Sequence, residues 1–292
     1  MRAARSSRAA QLMPLAALAL GVLLGLFAIT AGASEPQGEY VVVRHLLYLS
    51  ADGSIAIEEE STTRVSAAYV VNDHLWAEDA LPIRVAYNPA GAPAGHDVPA
   101  LLQQAIGTWN AAGSGFAFEW AGTGSALTGS CGQAVQVDGV NNIQFAALPP
   151  LVLGQTCTIY PPPKNSATKL VEFDMQLNPA INWSSTLPVP GGKYDMGTTI
   201  LHELGHAAGL GHNCGPDVQI TCQGKHDSAV MYSTLVTGIS KRVLTQDDID
   251  AIREAYGAAP TPPPTPTPTP VVTVPPGAEI FERARAPQLA RD

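Results

Sequence analysis

The segment His202-Glu203-Leu204-Gly205-His206-Ala207-Ala208-Gly209-Leu210-Gly211-His212 constrains this chain more than any other feature. His202 and His206 are four residues apart, so on a helix both imidazoles project from one face. Glu203 sets a carboxylate beside the first ring. Gly209 lacks a side chain and can take a positive φ, so the helix can end there and the chain can turn sharply. His212 then folds back toward the first two rings. Three converging imidazoles suit a zinc ion and leave its fourth position open to water, which marks a catalytic rather than a structural site. Glu203 is placed to act on that water. His-Glu-x-x-His alone is a weak pattern; the glycine and the third histidine at fixed spacing give it weight.

The rest of the chain supplies a domain to hold such a site. Ile83 to Tyr87 alternates and ends at Asn88-Pro89, a strand closed by a turn. Val98 to Trp109 carries Leu101, Leu102, Ala105, Ile106 and Trp109 at helical spacing after Asp97, a candidate cap. Phe116–Trp120, Asn142–Phe145, Thr156–Tyr160 and Leu170–Leu177 are further expected strands, and Pro161 to Pro163 stops the third of them. A last helix opens at Thr245, carries Asp247 and Asp248 in its first turn and stops at Gly257. Strand, helix, several strands and a motif-bearing helix predict a mixed α+β domain. It is bounded at about 76–258. Residues 34–75 form an N-terminal extension or propeptide, with a strand expected at Tyr40–Val43 and a solvated loop over Glu58–Thr63. The Pro-Thr alternation of 259–276 cannot pack a core and predicts an extended spacer. Residues 277–292 are a tail expected to be disordered.

Arg2, Arg5 and Arg8 precede an uncharged apolar run, Leu12 to Ile29, and then Ala31-Gly32-Ala33. That is the layout of a secretory signal over 1–33 or, uncleaved, of a membrane anchor. Either places the remainder outside the cytoplasm. The formal net charge is −9, which argues against nucleic acid or anionic lipid as a partner. Cys131, Cys157, Cys214 and Cys222 are disulfide candidates with three pairings open. The closeness of Cys214 to Cys222 favours a local bridge, with Cys131 left to Cys157. A cysteine metal site is the discounted rival, since no CxxC pair occurs.

After the zinc segment comes Ser228-Ala229-Val230-Met231-Tyr232. With it the chain resembles the metzincins, and among them the matrixins, over roughly 76–257. The resemblance implies a zincin domain with a twisted, mostly parallel sheet, an antiparallel edge strand, an active-site helix and a C-terminal helix. It implies that Met231 forms a turn beneath the zinc ligands, packing rather than binding metal. It also implies that Thr156–Tyr160 is the cleft-edge strand that pairs with an extended substrate. Ser233 and Asn213 stand where astacins and serralysins carry a tyrosine and adamalysins an aspartate, while Met231-Tyr232 and the helix opening Leu244-Thr245-Gln246-Asp247-Asp248-Ile249 look like matrixins. Two features depart from matrixins of the vertebrate type. Gln176 stands near the place of a structural-zinc histidine, so no second zinc is expected, and no cysteine precedes Cys131 to cap the first.

The expected activity is that of a secreted zinc endopeptidase, with His202, His206 and His212 as metal ligands, Glu203 as general base, and Gly209 and Met231 as structural support. A protein or peptide is the expected substrate and a monomer the expected state. A catalytically silent surface module and a zinc hydrolase of a non-peptide bond are the alternatives. Glu172 and Asp174 are candidate calcium ligands, against the competing reading of solvated surface acids. His45, His74, His96 and His226 are expected to be ordinary loop or surface residues.

Overall fold

The structure is a computed structural model and describes residues 41–49, 64–65, 69–124, 131, 137–161, 169–213 and 228–259. The N-terminal apolar segment, Glu58–Thr63, Cys214, Cys222, His226, and the Pro-Thr stretch and tail from residue 260 onward lie outside the described residues. Among the described residues, no helix is long and apolar enough to cross a membrane.

In chain order the strands are β1 (Val41–Leu49), β2 (Arg64–Val65), β3 (Val70–Val71), β4 (Ile83–Tyr87), β5 (Phe118–Thr123), β6 (Asn142–Phe145), β7 (Val152–Tyr160), β8 (Glu172–Leu177), β9 (Trp183–Ser184), β10 (Tyr194–Asp195) and β11 (Thr234–Leu235). The helices are α1 (Val98–Asn110), α2 (Met196–Ala207) and α3 (Gln246–Tyr256). Seven strands share one sheet in the order β11-β1-β7-β8-β6-β4-β5. From β5 through β4 and β6 to β8 neighbours run parallel, and β7 turns antiparallel to β8. This is the expected mixed fold with one reversed strand toward one side.

Local patterns account for much of it. In β4 the alternation buries Ile83, Val85 and Tyr87 and exposes Arg84. β7 and β8 are buried at every position, as strands covered on both faces are. α1 buries Leu101, Leu102, Ala105, Ile106 and Trp109, and Asp97 caps it by accepting from the Ala100 amide at 3.1 Å. The Trp109 indole is fully buried and donates to the Leu201 carbonyl at 2.8 Å, which pins α1 to α2. Cys131 and Cys157 are disulfide-bonded, tying the loop before β6 to the middle of β7.

One element departs from expectation. The segment assigned to an extension contributes β1, which pairs with β7 from Val41 opposite Tyr160 to Tyr48 opposite Val152. β7 is therefore interior, and the edge expected at Thr156–Tyr160 is already covered. The reason is non-local: the β1 pattern is plain, but nothing in the sequence names a partner more than a hundred residues away.

Glu172 and Asp174 are also not solvated acids. They sit on β8 at 0% and 1% exposure. Burial pushes the Glu172 carboxyl up from 4.5 to about 6, and the nearby Asp138 charge adds to this. Backbone amides, including Gly139 at 2.5 Å, pull the other way. The folded protein thus holds this proton more tightly than the unfolded chain does. Its stabilising contribution is full below about pH 4.5 and is lost as the pH rises through about 6. Urea midpoints across that window are expected to fall more in the native chain than in Glu172→Gln, and equal slopes would remove the carboxyl from the account.

Candidate metal centre

The site is built on α2, whose twelve residues are all buried. Such a helix needs firm ends. At its N-terminus Asp195 accepts from the Thr198 amide at 3.2 Å and from the Thr198 hydroxyl at 2.7 Å. Arg242 grips the same carboxylate with two nitrogens, at 2.9 and 2.5 Å. This bidentate pair is almost fully buried, where losing one partner would strand the other charge. Gly197 keeps the way clear, because a Cβ there would strike the Arg242 guanidinium. At the other end the Tyr256 hydroxyl donates to the Ala208 carbonyl at 2.7 Å, and the Trp76 indole donates to the Ala207 carbonyl at 2.8 Å.

Past α2 the chain turns at Gly209, with φ at +90°. The Gly209 amide bonds to the His206 carbonyl at 2.8 Å, and the Leu210 amide to that of Gly205 at 3.0 Å. The turn returns His212 to the helix face. The Nε2 atoms of His202, His206 and His212 then stand 3.0 to 3.1 Å from one another. All three residues are fully buried. Two nitrogens bound at about 2.0–2.1 Å to one tetrahedral zinc stand roughly 3.3 Å apart, so this triangle suits one such ion. The opposite ring atoms agree. His202 Nδ1 donates to the Val230 carbonyl at 2.6 Å and His206 Nδ1 to the Leu210 carbonyl at 2.8 Å. A carbonyl can only accept, so each proton sits on Nδ1 and the neutral ring turns its lone pair inward at Nε2. Lone pairs converging in a dry interior repel unless a cation lies among them. Among the described residues, this is the histidine group that could hold a metal ion.

Glu203 lies beside it, fully buried. The Thr156 hydroxyl, from β7, donates to Glu203 Oε2 at 2.7 Å and also stands 3.0 Å from its carbonyl. Gly154 makes room: a Cβ there would sit 2.9 Å from Oε1 and 3.1 Å from Cγ. The arrangement offers three nitrogens for a cation and a carboxylate of fixed orientation next to it.

The sequence profile of the matrixin family matches residues 76–257, more than half of the chain. The chain belongs to the matrixin family. It is also similar to two plant proteins. Metalloendoproteinase 2-MMP of Arabidopsis thaliana is 36% identical over 66 residues, which cover 23% of this chain and 15% of that protein. Metalloendoproteinase 1 of Glycine max is 37% identical over 67 residues, covering 23% and 18%. The chain thus spans less than a fifth of the length of either relative.

In this matrixin the Met-turn is held from α3. Asp248 accepts from the Val230 amide at 3.0 Å and the Met231 amide at 3.1 Å. It also takes the Thr245 amide and hydroxyl, both at 2.8 Å. Burial pushes its carboxyl pKa up, and these four donors pull it down. The Val230 carbonyl accepts from His202 Nδ1, so Asp248, through the Val230–Met231 peptide unit, helps orient one of the three inward-facing rings. Met231 itself packs on α2 at Gly205, where a Cβ would collide with its sulfur. Sequence reasoning gave Asp248 a dipole role only and missed Thr156 and Gly154. The Thr245-x-x-Asp248 capping box was the available signal for the first; the other two depend on how β7 lies over α2.

His45 is the correction among the histidines. It is 4% exposed, and its ring stacks on that of His206 at 4.6 Å between centroids and 13° between planes. His74 stacks on Tyr160 at 3.6 Å, and His96 Nδ1 meets the Ser185 hydroxyl at 3.0 Å. Gln176, near the place of a structural-zinc histidine, accepts from Gln155 at 2.6 Å.

Gly209 allows a direct test of the turn. An alanine there would adopt a left-handed conformation, at about 1–2 kcal/mol, and its Cβ would sit 2.7 Å from Leu75 Cδ2. Gly209→Ala is expected to lower stability by at least that amount in denaturant unfolding and to weaken zinc in competition with a chromophoric chelator. Unchanged values in both would show that the turn does not depend on glycine.

Proposed function

We propose that this matrixin is a zinc-dependent endopeptidase that hydrolyses peptide bonds of protein or peptide substrates outside the cytoplasm. The observation that carries the proposal is the convergence of three inward-facing Nε2 atoms, two of them from α2, with Glu203 next to His202 on that helix. His202, His206 and His212 would hold zinc, which would supply a Lewis acid to polarise a carbonyl and acidify water. Glu203 takes the proton of the attacking water and returns it to the leaving amine. Thr156 fixes Oε2, and with it the plane of the carboxylate, so the proton is handed over without a search for geometry. Asp248 and the Val230 and Leu210 carbonyls keep His202 and His206 protonated on Nδ1. The intact ligand set and glutamate speak against a silent binding module.

Export is supported by the three arginines and apolar run of residues 1–33 and by the Cys131–Cys157 disulfide, which favours an oxidising compartment. The chain acts as a monomer without nucleic acid. Incubating the zinc-loaded protein with a peptide library, with and without a chelator, tests the proposal. Chelator-sensitive cleavage at internal peptide bonds is the expected outcome. Hydrolysis confined to non-peptide bonds, or none at all, would contradict it.

A further inference from the structure

The turn that brings His212 back to α2 is short and permissive. Two of the three residues between Ala208 and His212 are glycines, and glycine has more backbone freedom to lose on ordering than any other residue. A ligand set has to be held within about 0.5 Å of its working geometry. α2 itself holds the near half of the turn, through the Gly209 amide on the His206 carbonyl and the Leu210 amide on the Gly205 carbonyl. The Gly211 amide, next to His212, is held from elsewhere.

Its partner is β3. The Gly211 amide donates to the Val70 carbonyl at 3.1 Å, and the Asn72 amide donates to the Gly209 carbonyl at 3.0 Å. These two bonds enclose an antiparallel bridge between Val71 and Leu210. Leu210, at its centre, is also the residue whose carbonyl accepts from His206 Nδ1. The bridge therefore fixes peptide units that serve two of the three rings. Side chains close the contact: Val70 and Val71 are buried. A Cβ on Gly211 would sit 2.7 Å from Val70 Cγ1 and 3.2 Å from Asn72 Oδ1, and one on Gly209 would sit 2.7 Å from Leu75 Cδ2 and 3.3 Å from the His74 carbonyl. Residues 70–75 thus lie against the turn as closely as its glycines allow. β3 pairs with β2 as well, Val71 opposite Arg64 and Val70 opposite Val65, so it meets the turn as a supported strand.

We propose that residues 70–72 are a working part of the metal centre, with Val70 and Asn72 as positioning residues for His206 and His212. They lie before the span 76–257 that matches the matrixin profile. The proposal rests on the three histidines holding a metal and not on which bond is cut. The eleven residues from His202 to His212 supply the ligands; β3 supplies the order that lets the third ring close on the other two. A ligand set already ordered binds without the cost of ordering it afterwards. Metal affinity is therefore set in part outside the motif that names the site.

The test uses the full chain and perturbs the bridge from both sides. Asn72→Pro deletes the amide that donates to Gly209, whereas Asn72→Ala retains it. Gly211→Ala drives a methyl into Val70, and Val70→Ala removes the Cγ1 that it meets. Three readouts are taken beside the urea midpoint: zinc release to a chromophoric chelator, the visible spectrum of the cobalt-substituted protein, and the proton signal at His206 Nδ1 in the metal-free protein. Asn72→Pro is expected to speed zinc release about ten-fold, the effect of one lost buried hydrogen bond. It is also expected to alter the cobalt spectrum and to broaden the His206 signal, while Asn72→Ala leaves all three as in the native chain. Gly211→Ala is expected to speed release as well, and adding Val70→Ala to it to restore most of the loss. Asp97→Ala, which uncaps α1, is the control for stability alone. It is expected to lower the urea midpoint and to leave zinc release and the cobalt spectrum unchanged. Native zinc release in Asn72→Pro and Gly211→Ala would overturn the proposal. So would release that rises equally in Asp97→Ala. If Asn72→Pro fails to fold, the Gly211 and Val70 variants decide. If the native chain holds no metal, the metal-centre reading fails, and the His206 signal of the metal-free proteins still decides the bridge.

Discussion

Glu203→Gln is expected to lower peptide hydrolysis by about 10²–10⁴-fold, the usual share of a general acid–base group, while zinc content stays at the native level. Glutamine has the shape of glutamate, and its carbonyl oxygen can still accept from the Thr156 hydroxyl that now holds Oε2 at 2.7 Å. The histidine ligands keep their own Nδ1 contacts to Val230 and Leu210, which the substitution does not touch. What is lost is a group able to take a proton. The comparison is made by steady-state kinetics on a fluorogenic peptide. Zinc per chain is read by elemental analysis. Full activity in the glutamine variant would remove Glu203 from the chemistry, and loss of zinc would make it a structural residue instead.

His206→Ala is expected to abolish zinc retention, activity and the response of stability to chelators together. His206 Nε2 stands 3.0 Å from that of His202 and 3.1 Å from that of His212. Its removal leaves two nitrogens, one short of the set that a catalytic zinc takes from protein. A metal bound only by the folded state stabilises it by about 4 kcal/mol at a thousand-fold excess over Kd. The native chain should therefore melt well below its zinc-loaded midpoint when a chelator is added, and His206→Ala should melt at the same temperature with and without one. A variant that still gains stability from zinc would show that the ion sits elsewhere.

What was legible in the sequence is what is local. The ligand set spans eleven consecutive residues, so helix periodicity and one glycine turn suffice to bring the three rings together. β4 and β6 begin and end at the residues expected from alternation, and Thr245 caps α3 as expected. The expected strands at 116 and 170 begin two residues late, at Phe118 and Glu172, within the uncertainty of any element boundary. What was not legible joins distant segments. Asp195 finds Arg242 across 47 residues, Thr156 finds Glu203 across the same separation, and β1 finds β7 across more than a hundred. Each pairing is decided by how sheet and helices stack, which residue spacing does not encode. His45 was misjudged for the same reason, because its burial comes from α2 rather than from its neighbours in sequence.

The central claim is that the triangle of His202, His206 and His212 holds a zinc on which peptide hydrolysis depends. Its most direct test is the cleavage rate of an extended fluorogenic peptide by the native chain, measured before chelation, after exhaustive removal of metal, and after zinc is added back to about one ion per chain. The account predicts loss on chelation and recovery on addition of zinc. Cleavage that persists in the metal-free protein, or a fully zinc-loaded protein that cleaves no peptide, would contradict it.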